Sequence, residues 1–289
     1  MALINDLELI ELQTRHLDAA FALSTEANWN QVIPDWKMMI GAGNAFAIVT
    51  PTGRLVATAL TLPFGHEFGW ISMVLVTKDR RKLGVATHLL NHCIESLESA
   101  DLVPMLDATP AGENVYRPLG FIPQYRIQRW ETDSIETSTF LRAHLKSGRS
   151  VDGAVRRPAL GEILTLDREI FGGNRSAILR AIYSRCDEIV CAPTEGSGFL
   201  LGREGRHAYQ IGPVCAYSGD HCVDMLLAAL SRLKGPIFID VPNDKTVLID
   251  LLKNMGFRSQ RPFLRMAKSR SKPFGRPGHT FAIAGPELG

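Results

Sequence analysis

The pattern Phe-x-x-Gln-x-x-x-x-Arg occurs twice in the chain, at Phe121, Gln124 and Arg129 and again at Phe257, Gln260 and Arg265. Each copy opens with a Gly-Phe pair, Gly120–Phe121 and Gly256–Phe257. Each is preceded by a strand-like run ending in an aspartate, then a proline, then a helical stretch: Asp107 and Pro110 in one copy, Asp240 and Pro242 in the other. Several matches in one order predict a duplicated domain. The 289 residues fit two domains of ordinary size, and 45% hydrophobic residues suffice to pack both cores. The expected division is a first domain over 1–135, a linker over 136–155, a second domain over 156–268 and a tail over 269–289.

The first copy reads as an α/β unit. Leu7–Leu12 alternates like a half-buried strand, and helices are expected over Arg15–Asn28 and Pro34–Ile40. Ala45–Thr50 and Leu55–Leu62 read as strands joined by the turn Pro51-Thr52-Gly53, and Trp70–Val76 is a third strand-like run. Gly84–Leu97 has helical apolar spacing. Val103–Ala108 reads as a strand, Glu113–Leu119 as a short helix stopped by Gly120, and Phe121 to about Trp130 as the last strand. A further helix is expected over Thr139–Lys146. The order implies a mixed sheet flanked by helices.

The segment Arg80-Arg81-Lys82-Leu83-Gly84-Val85-Ala86-Thr87 lies between a strand and a helix. Free N–H groups at a helix start, together with its dipole, favour an anion. Gly84 and Ala86 are small enough for a diphosphate to approach the backbone, and Arg80, Arg81 and Lys82 add positive charge. No G-x-x-x-x-G-K-[ST] or G-x-G-x-x-G pattern is present.

Val76-x-x-x-x-Arg81-x-x-Gly84-Val85-Ala86 resembles the acetyl-CoA loop of the GNAT superfamily of N-acetyltransferases, and Tyr116-x-x-x-Gly120-Phe121 resembles that family's closing helix and strand. The resemblance covers residues 1 to about 130 well and the second half in outline. It departs at Lys78, where the family often has proline. It implies two tandem GNAT-like domains, each a mixed, mainly antiparallel sheet flanked by helices. It also implies that acetyl-CoA is the acyl donor to an amine, by direct attack that needs no metal and no covalent enzyme intermediate. An oxyanion donor is expected from the backbone around Val74, Leu75 and Val76, beside a splay that admits the pantetheine arm. Tyr116 is expected as the acid for the leaving thiolate, and Asn114 as a contact to the pantetheine or a water.

An amine with a pKa of about 10.4 is mostly protonated at neutral pH, so a base or a water chain is required. Asp107 is the first candidate base, with His66 and Glu67 as alternatives and Ser72 as a relay. The acceptor pocket is expected to use Trp29, Asn30 and Trp36, with Met38 and Met39 near. The rival reading is a catalytically idle acyl-CoA sensor, which would not need Tyr116.

In the second half the loop's place is taken by Gly212-Pro213-Val214-Cys215-Ala216-Tyr217-Ser218-Gly219-Asp220-His221, and Leu252 stands where Tyr116 stands in the first. This copy is expected not to bind acyl-CoA. Arg168, Arg175, Arg180 and Arg185 read as exposed helix charges. The apolar run Phe281–Gly289 is expected to pack back on the protein, near the cleft. A formal net charge of +2 does not suggest a polyanion partner, although Arg258–Arg276 holds seven basic residues and no acidic one. Five cysteines without C-x-x-C spacing read as reduced, buried thiols. With no signal-peptide pattern and no long apolar run, the expectation is a cytoplasmic protein acting on a small-molecule amine, without nucleic-acid or membrane partners. No feature of the sequence sets an oligomeric state.

Overall fold

A computed structural model describes residues 6–135, 138–139, 141 and 151–289. Most of the helix expected over Thr139–Lys146, and most of the linker, lie outside the described residues.

The first copy opens with β1 (Glu8–Glu11), β2 (Asn44–Val49), β3 (Leu55–Pro63) and β4 (Phe68–Val76), which pair antiparallel in that order. Helices α1 (Leu17–Glu26) and α2 (Ile33–Ala42) lie between β1 and β2 in sequence. After β4, helix α3 (Val85–Glu98) returns the chain to β5 (Val103–Ala108), which runs parallel to β4. The face of α3 carrying Val85, Leu89, Leu90, Cys93, Ile94 and Leu97 packs on one side of this sheet, as its spacing predicts. The indole of Trp36 and the side chain of Met39 fill the other side beneath α1 and α2. Helix α4 (Pro110–Tyr116) follows β5, and then β6 (Phe121–Thr132). α4 begins three residues before the expected Glu113, because Thr109 caps it by accepting a hydrogen bond from the Gly112 N–H and Pro110 fits its first turn.

The second half contributes a short ribbon of β7 (Val155–Arg156) with β8 (Ala192–Pro193), helices α5 (Leu160–Phe171) and α6 (Ser176–Tyr183), and antiparallel β9 (Gly198–Arg203) and β10 (Tyr209–Ala216). Then come α7 (Gly219–Arg232), β11 (Ile237–Pro242), α8 (Thr246–Asn254), β12 (Arg258–Lys268) and β13 (Thr280–Ala282).

The two copies exchange their long last strands. β6 pairs with β11 of the second copy, and β12 pairs with β5 of the first. β6 and β12 also pair antiparallel with each other. The result is one continuous sheet in the order β1-β2-β3-β4-β5-β12-β6-β11-β10-β13, with β9 on β10. Each copy is mainly antiparallel with one parallel pair, β4–β5 or β10–β11. The expected limits of 135 and 156 therefore separate the repeats along the chain but not the sheets in space. The pairing of β6 with β12 breaks register between Ser259 and Arg261, at Gln260, and again opposite Gln124, so both repeated glutamines sit at bulges.

The exchange fixes two buried ion pairs. Arg265 on β12 donates to both carboxylate oxygens of Asp107 on β5, at 2.9 and 2.8 Å. Arg129 on β6 does the same to Asp240 on β11, at 2.7 Å for each bond. The repeated arginine of each copy thus neutralises the repeated aspartate of the other. The terminal segment is ordered and buried: Trp70 Nε1 donates to the Pro286 carbonyl at 2.9 Å, and Leu288 joins the same core cluster as Trp36 and Trp70.

Candidate active site

β4 and β5 are paired only from Phe68 to Trp70. Beyond Trp70 they diverge, leaving one edge of β4 without a strand neighbour. In the same stretch the β3–β4 register slips between Thr58 and Leu60. Met73, opposite the slip, has φ of 52°. A non-glycine residue in the left-handed region costs free energy, and this one is held in place by Thr58 Oγ1, which donates to the Met73 carbonyl at 2.9 Å. The bulge turns successive peptides of β4, which re-aims the backbone from Met73 to Val76 toward the opening.

A groove of about 600 Å³ runs from this opening to the start of α3. Gly84, the N-cap, has φ of 83°, and Lys82 has φ of 62°. These two left-handed residues fold the loop back over the helix start, and no acidic side chain lies in the first turn of α3 to compete for its N–H groups. Val74, Leu75, Val76, Arg80, Arg81, Lys82, Gly84, Val85, Ala86 and Thr87 all line the groove. Leu83 does not; it packs against the core beneath α3. Glu26 at the end of α1 ties the loop down, accepting from the Lys78 N–H at 2.7 Å and from Thr77 Oγ1 at 3.0 Å. Arg81 lies 3.8 Å from Glu26 and donates from Nε to the Val76 carbonyl.

A second cavity of about 110 Å³ lies against β4 at Ile71, Ser72, Met73 and Val74. Trp29, Val74, Thr109 and Tyr116 line both spaces, so the groove and the cavity meet there. The Tyr116 ring packs against Gly112, whose hydrogen leaves the space that a Cβ would take at 2.8 Å from the ring. Burial pushes the Tyr116 hydroxyl up to about 12, with a smaller contribution from Cys93, so it keeps its proton. Three polar atoms in the cavity wall are buried without a hydrogen-bond partner among the described residues: Gln31 Oε1, Ser72 Oγ and Arg261 Nε.

The expected acceptor residues separate. Trp29 lines the cavity, but Trp36 is fully buried in the core, where its Nε1 donates to Ser24 Oγ at 3.1 Å. Asn30 joins the two halves instead, donating to the Ala208 carbonyl and accepting from the His207 and Ala208 N–H groups. Asn114 is exposed on α4 and lines neither space. Asp107 reaches the cavity wall, with both oxygens taken by Arg265. Burial pushes its carboxyl up, and the arginine's charge and hydrogen bonds oppose that. His66 and Glu67 line neither space.

The cavity also contains Gln31, Arg261 and Phe263, none of which was expected there, and Glu287, from the terminal run expected near the cleft. Arg261 could have been found from the repeat, since it stands where the first copy has Tyr125. Glu287 comes from the terminal segment and is paired with Arg203, which also contacts Asp35 at 3.2 Å, and Asp35 in turn binds Arg185. Arg175, expected as an exposed charge, is buried and forked onto Asp167.

The second copy lacks this opening. β10 and β11 are parallel only from Tyr209 to Ile211, a divergence like that of β4 and β5. Here β13 fills the gap: Ala282 pairs with Val214, Thr280 with Cys215, and the Ile283 N–H donates to the Asp240 carbonyl at 3.0 Å. The start of α7 is capped by Ser218 Oγ, which accepts from the Asp220 N–H, and Leu252 is buried in the core.

Both copies match known acetyltransferase models. Residues 9–121 match the acetyltransferase (GNAT) family, and residues 163–282 match an acetyltransferase (GNAT) domain. The chain is a tandem GNAT protein. It is 26% identical over 291 residues to the uncharacterised N-acetyltransferase YitH of Bacillus subtilis (strain 168), covering 98% of each chain. Its fold is similar to that of a provisionally assigned acetyltransferase from Pyrococcus horikoshii, with a TM-score of 0.80 at 16% identity over 99% of this chain and 96% of that one. It is also similar to a tandem GNAT protein from the clavulanic acid biosynthesis pathway, with a TM-score of 0.63 at 14% identity over 90% and 98%. GNAT enzymes transfer acetyl groups with acetyl-CoA as donor, and the groove along β4 and α3 lies in the copy that carries the GNAT loop. No helix among the described residues of this GNAT protein is long and apolar enough to cross a membrane.

Proposed function

We propose that the first copy transfers an acetyl group from acetyl-CoA to the amine of a small molecule, and that the second copy binds no acyl-CoA. The observation that carries this reading is the meeting of the groove and the cavity at Val74, Thr109 and Tyr116. A diphosphate at the start of α3 and a pantetheine arm along the open edge of β4 would bring a thioester to that junction. The amine would arrive from the other side. The β13 strand in the second copy's gap, and the self-capped start of α7, support an idle second cleft.

The amine nitrogen attacks the thioester carbonyl carbon, the C–N bond forms and the C–S bond breaks. The re-aimed backbone of β4 around Val74–Val76 donates to the developing oxyanion. The nitrogen becomes strongly acidic once bonded to carbon and loses one proton, and the sulfur leaves as a thiolate. A thiol near 8.5 is a stronger acid than a phenol held near 12. Tyr116 therefore acts by donating a hydrogen bond to the sulfur, and any proton it lends must be replaced from the attacking nitrogen. Both carboxylates in the cavity wall are paired, Asp107 with Arg265 and Glu287 with Arg203. We therefore assign Asp107 to the ion pair, and the amine's first proton leaves through water rather than directly to Asp107.

The test is release of CoA thiol against a panel of amines, beside calorimetric binding of acetyl-CoA. Tyr116→Phe should lower kcat by about 10²-fold while the Kd for acetyl-CoA stays within about twofold. Because Tyr116 holds its proton to about 12, its replacement should leave the acid limb of the pH profile unmoved. Tight binding with no turnover on any amine would instead favour an acyl-CoA sensor.

A further inference from the structure

We propose that Arg261 seats a carboxylate carried by the acceptor, so that the substrate is an amino acid or a closely related small amino carboxylate. This rests on the acyl-transfer reading of the same cavity and goes beyond it to the chemistry of the acceptor.

The argument begins with charge. Four arginines stand at or just behind the cavity wall, and three are neutralised. Arg265 is forked onto Asp107 and Arg129 onto Asp240. Arg203 lies between Asp35 and Glu287, and Asp35 also meets Arg185, so that group of two arginines and two carboxylates sums to zero. Arg261 has no ion pair and no side-chain hydrogen bond among the described residues, and its Nε is buried without an acceptor. Its guanidinium stacks 5.3 Å from the centre of the Phe263 ring, on which Arg129 also stacks at 5.4 Å. Burial and the neighbouring Arg129 together push Arg261 down to about 10, and it stays protonated at neutral pH. A half-buried cation with no anion beside it is partly desolvated without compensation, which is unfavourable unless something binds it.

The internal repeat shows that this cation is not a requirement of the fold. In the paired strands Arg261 faces Arg129, and by the same symmetry Tyr125 faces Arg265. At the Tyr125 position the hydroxyl accepts from Arg265 Nη1 at 2.7 Å, and Arg265 is also forked onto Asp107, so no charge in that cluster is left unpaired. The space there is only about 20 Å³. The cavity of about 110 Å³ has Arg261, carried in on β12 of the second copy, at the equivalent place, and no anion pairs with it among the described residues.

The remaining features fit one ligand. The planar fork of arginine matches a carboxylate in two parallel hydrogen bonds. Gln31 Oε1 and Ser72 Oγ, also without partners, can accept from the ligand's amine. Ile71, Met73, Leu106 and Phe263 offer apolar wall to an aliphatic side chain. A cavity of about 110 Å³ suits a small metabolite rather than a polymer side chain with its backbone.

The experiment compares small aliphatic α-amino acids with their carboxamides as acceptors, with aminoalkyl phosphates as a third arm, in the full-length wild-type chain, Arg261→Gln and Arg261→Lys. Wild-type kcat/KM should favour the acid over its amide by about 10- to 100-fold. Arg261→Gln should bring the two within about threefold, mostly through KM, with KM for acetyl-CoA unchanged, and Arg261→Lys should recover part of the preference. Arg261→Gln should melt no lower than wild type, since it removes an unpaired, half-buried charge, whereas a structural arginine would lower the melting temperature when replaced. Equal or better turnover of amides in the wild-type chain would overturn the inference while leaving the acyltransferase reading intact. Preference for the phosphates would likewise overturn the carboxylate assignment. If no amine released thiol, yet the amino acids bound by calorimetry in an Arg261-dependent way, the transfer reading would fall and the carboxylate seat would stand.

Discussion

Asp107 shows how one residue can satisfy a sequence argument for catalysis and still serve the fold. It lies at the end of a strand beside the cleft, in the place a base would need, and a proline and a helix follow it. Its repeat partner Asp240 lies in the copy whose cleft is filled, and both are forked onto arginines in the same way. A feature present at the filled cleft as well as the open one serves the fold. Asp107→Asn should therefore leave Arg265 with an uncompensated buried charge and lower stability by about 3–5 kcal/mol, read by denaturant unfolding. The variant that remains folded should keep most of its kcat per folded molecule. A loss of activity without a loss of stability would return Asp107 to the role of base. The turn before α3 was legible residue by residue, because a tight turn into a helix start needs small residues at fixed spacing. The acceptor wall was not: Trp29, Asn30 and Trp36 are neighbours along the chain, yet they face a cavity, a domain junction and a core respectively. Only three-dimensional packing separates those fates.

Strand and helix positions in the first copy followed from hydrophobic period and turn residues, and the structure shifts most of them by only a few residues. The partner of each last strand did not follow. β6 and β12 share the same pattern of Phe, Gln and Arg, so each fits either sheet edge equally well as a sequence. The choice is made by chain geometry, which no local pattern records. The bulge at Met73 was equally silent, since methionine carries no signal for a left-handed backbone. Helix α4 offers a test at this scale. Alanine normally favours a helix over glycine by about 1 kcal/mol, yet a Cβ at Gly112 would come within 2.8 Å of the Tyr116 ring. Gly112→Ala should leave the melting temperature within a few degrees of wild type and lower kcat by about tenfold or more, by displacing the Tyr116 hydroxyl from the junction. Unchanged kcat in that variant would argue against Tyr116 as a partner of the leaving sulfur.

The strand exchange makes the whole molecule one folding unit. Residues 6–132 alone would leave β5 without β12 and Asp107 without Arg265. The exposed edge would be prone to pairing with other chains. That fragment and a fragment starting at residue 151 should each be insoluble or molten when expressed alone, and should yield a soluble complex when expressed together. A monomeric, cooperatively folding first fragment would contradict this dependence. The duplication itself was readable from the repeated motif, but the single sheet it builds was not. Its consequence reaches furthest at the second copy's gap, where β13 lies in place of any ligand. The strand leaves that gap toward the first copy, and within a few residues the same segment delivers Pro286 to Trp70 and Glu287 to the cavity beside β4. The closed cleft thus serves as a mooring: by holding one end of the segment, it fixes the wall of the open one. Of the two clefts that duplication laid down, one stays open and the other holds its neighbour's wall in position.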